Sequence, residues 1–127
     1  MKSKREAAGA TYHVTGSGST LIEETMQADG TPYMTTAYHM DNGELRMTHF
    51  CSAQNQPRLK ADSIDAIGTF VRFGFVDITN LASPDAPHVH GFSIRFVDAN
   101  HIKLEFAVSA KGQESVEHFA LARVAAS

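Results

Sequence analysis

The sequence predicts an all-β domain, an antiparallel up-and-down meander that closes into a barrel. Three observations predict it. Runs of β-branched and aromatic residues recur at short spacing between turn residues. An Asn-Gly pair, Asn42-Gly43, stands between two such runs, the strongest short-range hairpin signal. No ten-residue window carries an apolar stripe at helical spacing. Closure is favoured over an open sheet because it disposes of unpaired edges.

The 127 residues make one domain, with 43% hydrophobic and 20% charged residues, the composition of an ordinary soluble globular chain. A net charge of −3 gives no reason to expect nucleic acid or a membrane surface as partner. Cys51 stands alone, so no intrachain disulfide is possible. No apolar run approaches the roughly 20 residues of a membrane helix, and the charged start followed by Ala-Ala-Gly-Ala is too weak for a signal-peptide core. As written, the chain is expected in the cytoplasm.

Residues 1–9 are expected to be a flexible lead-in and residues 10–127 the barrel domain. Tyr12 to Thr15 and Thr20 to Met26 are strand-like around the Gly16-Ser17-Gly18-Ser19 turn. The hairpin across Asn42-Gly43 sets Asp41 opposite Glu44, Met40 opposite Leu45, Tyr38 opposite Met47 and Thr36 opposite His49. Alternation then puts Met34, Tyr38, Met40, Leu45, Met47, His49 and Cys51 on one face, with Phe50 on the wet one. Arg58 to Ala61 is a short strand. Thr69 to Ile78 is a longer one, with Val71, Phe73 and Phe75 on one side. Ser83-Pro84-Asp85 has the residues to start one helical turn. His88 to Val97 and Ile102 to Ala110 form a hairpin, and a three-residue loop, Ala99-Asn100-His101, is preferred because it faces Phe96 with Leu104 and Arg95 with Glu105. The last strand runs from Ser115 to about Val124, with Phe119 and Leu121 inward.

Tyr38-His39-Met40-Asp41-Asn42-Gly43-Glu44-Leu45, then Thr48-His49-Phe50-Cys51 and Asn55-Gln56-Pro57-Arg58, resembles a signature of uncharacterised bacterial lipocalin-like (calycin) β-barrel proteins. Phe75 to Asp85 and His88-Val89-His90 resemble its second half. The resemblance spans residues 12 to 124 and implies an up-and-down barrel with a small internal cavity. Lipocalin-like chains usually open with a Gly-x-Trp strand, whereas this chain has no tryptophan. An N-terminal strand is therefore expected to be short or missing, and the edge so left would serve pairing into a homodimer.

The residues expected to face a ligand inside the barrel are Tyr38, Met40, Met47, His49, Phe73, His90, Phe92 and Phe106. Met and Phe supply apolar wall while Tyr and His supply a few polar groups, the make-up of a pocket for a small apolar molecule. The plainer reading is a packed core in which Tyr38, His49 and His90 satisfy one another. His88 and His90 share one side of a strand at a spacing used by metal sites, with His49 or Glu117 as the third candidate ligand, which would make a metal-dependent enzyme. Catalysis has weaker support: Asp85, His88 and Tyr38 form no recognised set, and no cofactor motif is present. Asn55 and Arg58 could meet an anion at the mouth or simply tie down the loop before Pro57.

Overall fold

The computed structural model describes residues 7–27 and 29–123. Nine strands follow in chain order: β1 (Ala7–Thr15), β2 (Thr20–Gln27), β3 (Pro32–Asp41), β4 (Glu44–Phe50), β5 (Gln56–Ile64), β6 (Phe70–Thr79), β7 (His88–Asp98), β8 (His101–Ala110) and β9 (Gln113–Ala122). Each pairs antiparallel with the next, so the order in the sheet is the order in the sequence, and no helix occurs among the described residues. The sheet curls. Gly9 and Ala10 of β1 line the same small apolar void as Leu104, Phe119 and Leu121 of β8 and β9. First and last strands thus flank a common interior, and the architecture is barrel-like.

The hairpin that anchors the chain has the expected register. Asn42 and Gly43 both take positive φ, 50° and 82°, the mirror-image turn whose twist suits two paired strands. Asp41 faces Glu44, Met40 faces Leu45, Tyr38 faces Met47 and Thr36 faces His49. Lys111 and Gly112 repeat the device between β8 and β9, with φ of 53° and 73°. Inside lie Tyr38, Met47, Leu59, Val71, Phe73, Phe92, Leu104, Phe106 and Leu121, all buried. Phe50 is exposed, as alternation requires.

The structure corrects several expectations. Ala7 to Gly9, expected in the lead-in, already belong to a nine-residue β1, so the first strand is neither short nor missing. The remainder of that lead-in, and the end of the last strand at Val124, lie outside the described residues. β5 extends well beyond Arg58 to Ala61 because it pairs along β6 through two irregularities. Ser83 to Ala86 makes a single turn, Ala86 N donating to Ser83 O at 3.0 Å, and no helix follows.

Two β-bulges explain the remaining differences. Between β7 and β8 the loop is Ala99-Asn100, shorter than expected, and Val97 is bulged, which sets Phe96 opposite Ile102, Ile94 opposite Leu104 and Phe92 opposite Phe106. The bulge restores the apolar matching that a two-residue loop alone would spoil. Asp98 favours the short loop, since its Oδ1 accepts from Asn100 N at 2.8 Å and lies 2.7 Å from His101 Nδ1. Arg95 consequently faces Lys103 rather than Glu105, and its guanidinium sits 4.6 Å above the Phe70 ring.

The second bulge falls at His90, between the Val89–Val108 and Gly91–Ala107 pairs. Alternation counted back from Phe92 would have sent His90 and His88 inward. The extra residue breaks that count, so Val89 is buried and His90 is exposed. Met40 is also outside, 60% exposed, because it sits beside the turn and beyond the end of the interior.

Candidate functional site

The middle of the barrel is filled. Phe73 packs on Phe92 with ring centroids 5.9 Å apart, Phe92 on Phe106 at 4.6 Å, and Tyr38 on Phe73 at 6.0 Å. Tyr38, Met47, Phe73 and Phe92, expected to face a ligand, are therefore core residues. Open space lies outside that packing, and one broad, open groove of about 700 Å³ is lined in part by Phe73, His90 and Phe92. A cleft of about 260 Å³ is walled by Met34, Val89, Phe106, Val108 and Phe119, with Ala53, Pro87 and Glu117 also lining it. Of the residues expected to meet a ligand, His49 and Phe106 line this cleft. Tyr38, Met40, Met47, Phe73, His90 and Phe92 do not.

Behind His49 runs a row of polar side chains that crosses four strands in direct register. Tyr12 faces Glu23, Glu23 faces Thr36, and Thr36 faces His49. Glu23, Thr36 and His49 are each 1% exposed. Tyr12 donates its hydroxyl to Glu23 Oε2 at 2.6 Å, and Tyr38 donates to the same oxygen at 3.4 Å. Thr36 Oγ1 lies 2.8 Å from His49 Nδ1.

Burial sets the titration of these groups. It pushes the Glu23 carboxyl above its ordinary value, while the hydroxyls of Tyr12, Thr36 and Tyr38 pull it back towards ionisation. Burial and the Glu23 charge together raise the Tyr12 and Tyr38 phenols, which stay protonated as donors. Burial lowers His49 to about 4, so its ring is neutral at neutral pH. A neutral imidazole has one N–H and one bare nitrogen. The Nδ1 side is occupied by Thr36, and His49 Nε2 is buried with no hydrogen-bond partner. Of the buried side-chain polar atoms in that condition among the described residues, it is the one whose residue lines the cleft.

No protein family, curated protein or solved structure matches the chain. The site is read from its geometry.

His88, buried, is the cleft's second imidazole. Its Nδ1 lies 2.9 Å from the Ala86 carbonyl, which can only accept, so that nitrogen carries the hydrogen. His88 and His90 do meet, edge to face with centroids 5.8 Å apart, and Phe75 stacks on His90 at 4.6 Å. Glu117 sits opposite Phe106 and lines the cleft, away from exposed His90. Among the described residues no three His, Cys, Asp or Glu side chains gather to hold a metal, so the His88, His90 and Glu117 set is not assembled. Cys51 lines the cleft two residues beyond His49, half-buried. Asn55 ties the loop down: Nδ2 donates to Pro87 O at 3.0 Å, and its main-chain carbonyl accepts from Cys51 N at 3.1 Å. Arg58 pairs with Asp77 through a close bidentate contact on the surface and takes no part in the cleft. Among the described residues no helix is long and apolar enough to cross a membrane.

Sequence reasoning missed Glu23, Thr36 and Tyr12. The pattern of β2 alone could not have found Glu23. Leu21, Glu23 and Thr25 alternate with Ile22, Glu24 and Met26, and the second set is the more apolar, which points away from Glu23 as an inward residue. The usable signal was indirect: carrying the alternation back from Thr36 and Tyr38 across the preceding turn places Glu23 on the inner face.

Proposed function

We propose that this chain is a non-enzymatic, lipocalin-like (calycin) binding protein for a small, largely apolar molecule held in the cleft at the His49 end. One observation carries the reading. His49, whose Nε2 is fully buried and without a partner, lines a cleft with an apolar wall of Met34, Val89, Phe106, Val108 and Phe119 and a polar remainder that includes His88 and Glu117. Leaving such an atom unsatisfied costs about 1–3 kcal/mol, which a ligand's hydrogen bond would recover. The cleft volume of about 260 Å³ lies below the roughly 300–1,000 Å³ of sites for drug-sized ligands, so the occupant is of one-ring size. The residues that carry the resemblance to lipocalin-like proteins also frame this space: His49 and Cys51 line it, and Asn55 fastens its loop to Pro87.

Methyl NMR on Met34, a cleft residue, tests the reading against a panel of one-ring compounds. Saturable shifts at Met34 that vanish in Ala53→Trp, which blocks the mouth from an exposed position, are the expected result. Shifts that persist in Ala53→Trp, or no shift with any compound, would overturn it.

A further inference from the structure

We propose that the free edge of β9 is a dimer interface, at which two copies of this chain pair β9 with β9 antiparallel across a two-fold axis beside Val116. The proposal stands apart from the cleft reading, and neither falls with the other.

The strand count leaves the edge. In an up-and-down meander of nine strands the first and last run in the same direction, so they cannot close the sheet by the antiparallel pairing used everywhere else in it. Among the described residues β9 pairs with β8 alone. Gly9 and Ala10 of β1 approach it at Phe119 and Leu121, with which they line one void. From Gln113 to His118 every residue is exposed, those on the inward side included. The strand is ten residues long, follows β8 without a bulge, and holds neither lysine nor proline. An edge so regular is open to another strand.

The turn before β9 shows which main-chain groups that edge offers. Lys111 and Gly112 make a two-residue turn, so Ala110 and Gln113 close it as a hydrogen-bonded pair. Such pairs recur at every second residue, and the register along β8 is unbroken. Ser115 and Glu117 therefore bond to Val108 and Phe106. Glu114, Val116 and His118 turn their N–H and C=O groups to the free side.

The side chains select the register. With Val116 opposite the partner's Val116, Glu114 faces the partner's His118, and His118 faces the partner's Glu114. On the inner face Ser115 meets the partner's Glu117, a hydroxyl donor against a carboxylate. Centring the axis on Glu114, Glu117 or His118 sets like groups opposite each other. Centring it on Ser115 sets Glu114 against the partner's Val116, a carboxylate against an apolar chain. The Val116-centred register alone matches every pair, and a two-fold contact closes at two copies rather than growing into a fibre. Within one copy His118 Nδ1 lies 3.5 Å from Glu105 Oε2, so in the dimer the imidazole stands between two carboxylates.

Sedimentation velocity of the full chain over a wide range of concentration, paired with amide hydrogen exchange, tests the proposal. The expected result is a monomer–dimer equilibrium. The amides of Glu114, Val116 and His118 should gain protection as the dimer fills, while those of Ser115 and Glu117 are protected in both forms. A monomer at every concentration would overturn the proposal. So would protection of the Glu114, Val116 and His118 amides in the monomer, which would mean that the chain covers this edge itself. Val116→Lys, at a position 44% exposed, sets two cations opposite each other and should abolish the dimer. A dimer that survives this change lies elsewhere, and the proposal fails. His118→Glu should weaken the dimer about tenfold, because carboxylates then face each other twice across the axis. Adding Glu114→Lys to that variant should restore it. Glu105 is present in both variants, so its repulsion does not decide the comparison. No recovery in the double variant would overturn the Val116-centred pairing. If Val116→Lys fails to fold, the two His118→Glu variants decide.

Discussion

The interior has two unlike halves. On the β5 to β9 side it is built from Leu59, Val71, Phe73, Phe92, Leu104, Phe106 and Leu121, whose rings and branches fill the space between strands. On the β1 to β4 side the buried residues include Glu23, held by Tyr12 and Tyr38, Thr25, held by the Met34 main chain, and the hydrogen-bonded pair Thr36 and His49. The first half draws its stability from apolar area and close packing, which any similar set of side chains could supply. The second accepts the desolvation of a carboxylate and an imidazole, and most of that is offset by donors placed in register. One nitrogen is not offset, and it belongs to a residue that lines the cleft. A local departure from an apolar interior is where function is to be sought.

The contrast can be broken most forcefully at Phe73. Phe73→Ala should cost about 3–5 kcal/mol in urea unfolding, the penalty for a large cavity in a filled core. A loss below about 1 kcal/mol would mean that the aromatic half does not hold the fold.

Acid should weaken the polar half next. His49 is lowered from 6.5 to about 4 in the fold, so its contribution is complete above 6.5 and lost as pH falls towards 4. The amount is about 3 kcal/mol, from the size of that shift. Glu23 works the other way. Its raised value makes its contribution complete below the ordinary carboxyl range and lost as pH rises through the folded value. Urea midpoints against pH should therefore show an acid limb in the native protein, a flatter one in His49→Leu and a steeper one in Glu23→Gln. An identical limb in all three would show that the row does not titrate.

Thr36→Val should cost about 1–2 kcal/mol by thermal unfolding at neutral pH, because the buried His49 Nδ1 loses its partner. Arg58→Ala sharpens the comparison from the other end. Its pairing with Asp77 is exposed on both sides, 54% and 46%, and the loss should be smaller than that of Thr36→Val despite the good geometry. A larger loss for Arg58→Ala than for Thr36→Val would reverse the ranking of buried and surface polar contacts.

Much of the fold was legible because strand alternation and turn chemistry are local. Asn42-Gly43 announced its turn, and with it the pairing of Tyr38 with Met47 and Thr36 with His49. The bulges at His90 and Val97 were not legible, since a bulge is chosen by the fit of two strands and leaves no residue of its own to read. That is why His90 was expected inside and Arg95 opposite Glu105. Of the residues expected to face a ligand, His49 and Phe106 line the cleft, beside His88 and Glu117, which the sequence offered as metal ligands. Whether Tyr38, Met47, Phe73 and Phe92 line a cavity or close it depends on how tightly the sheet curls, which no single strand encodes. Glu23 stayed hidden because the face of β2 that carries it is the more polar of the two and reads as the outer one.

The most direct test is a crystal structure of the protein soaked with the one-ring compounds. The expected result is a ring between Met34, Phe106 and Phe119, beside His49. A cleft without a bound ring, or a ring seated elsewhere on the protein, would contradict the account.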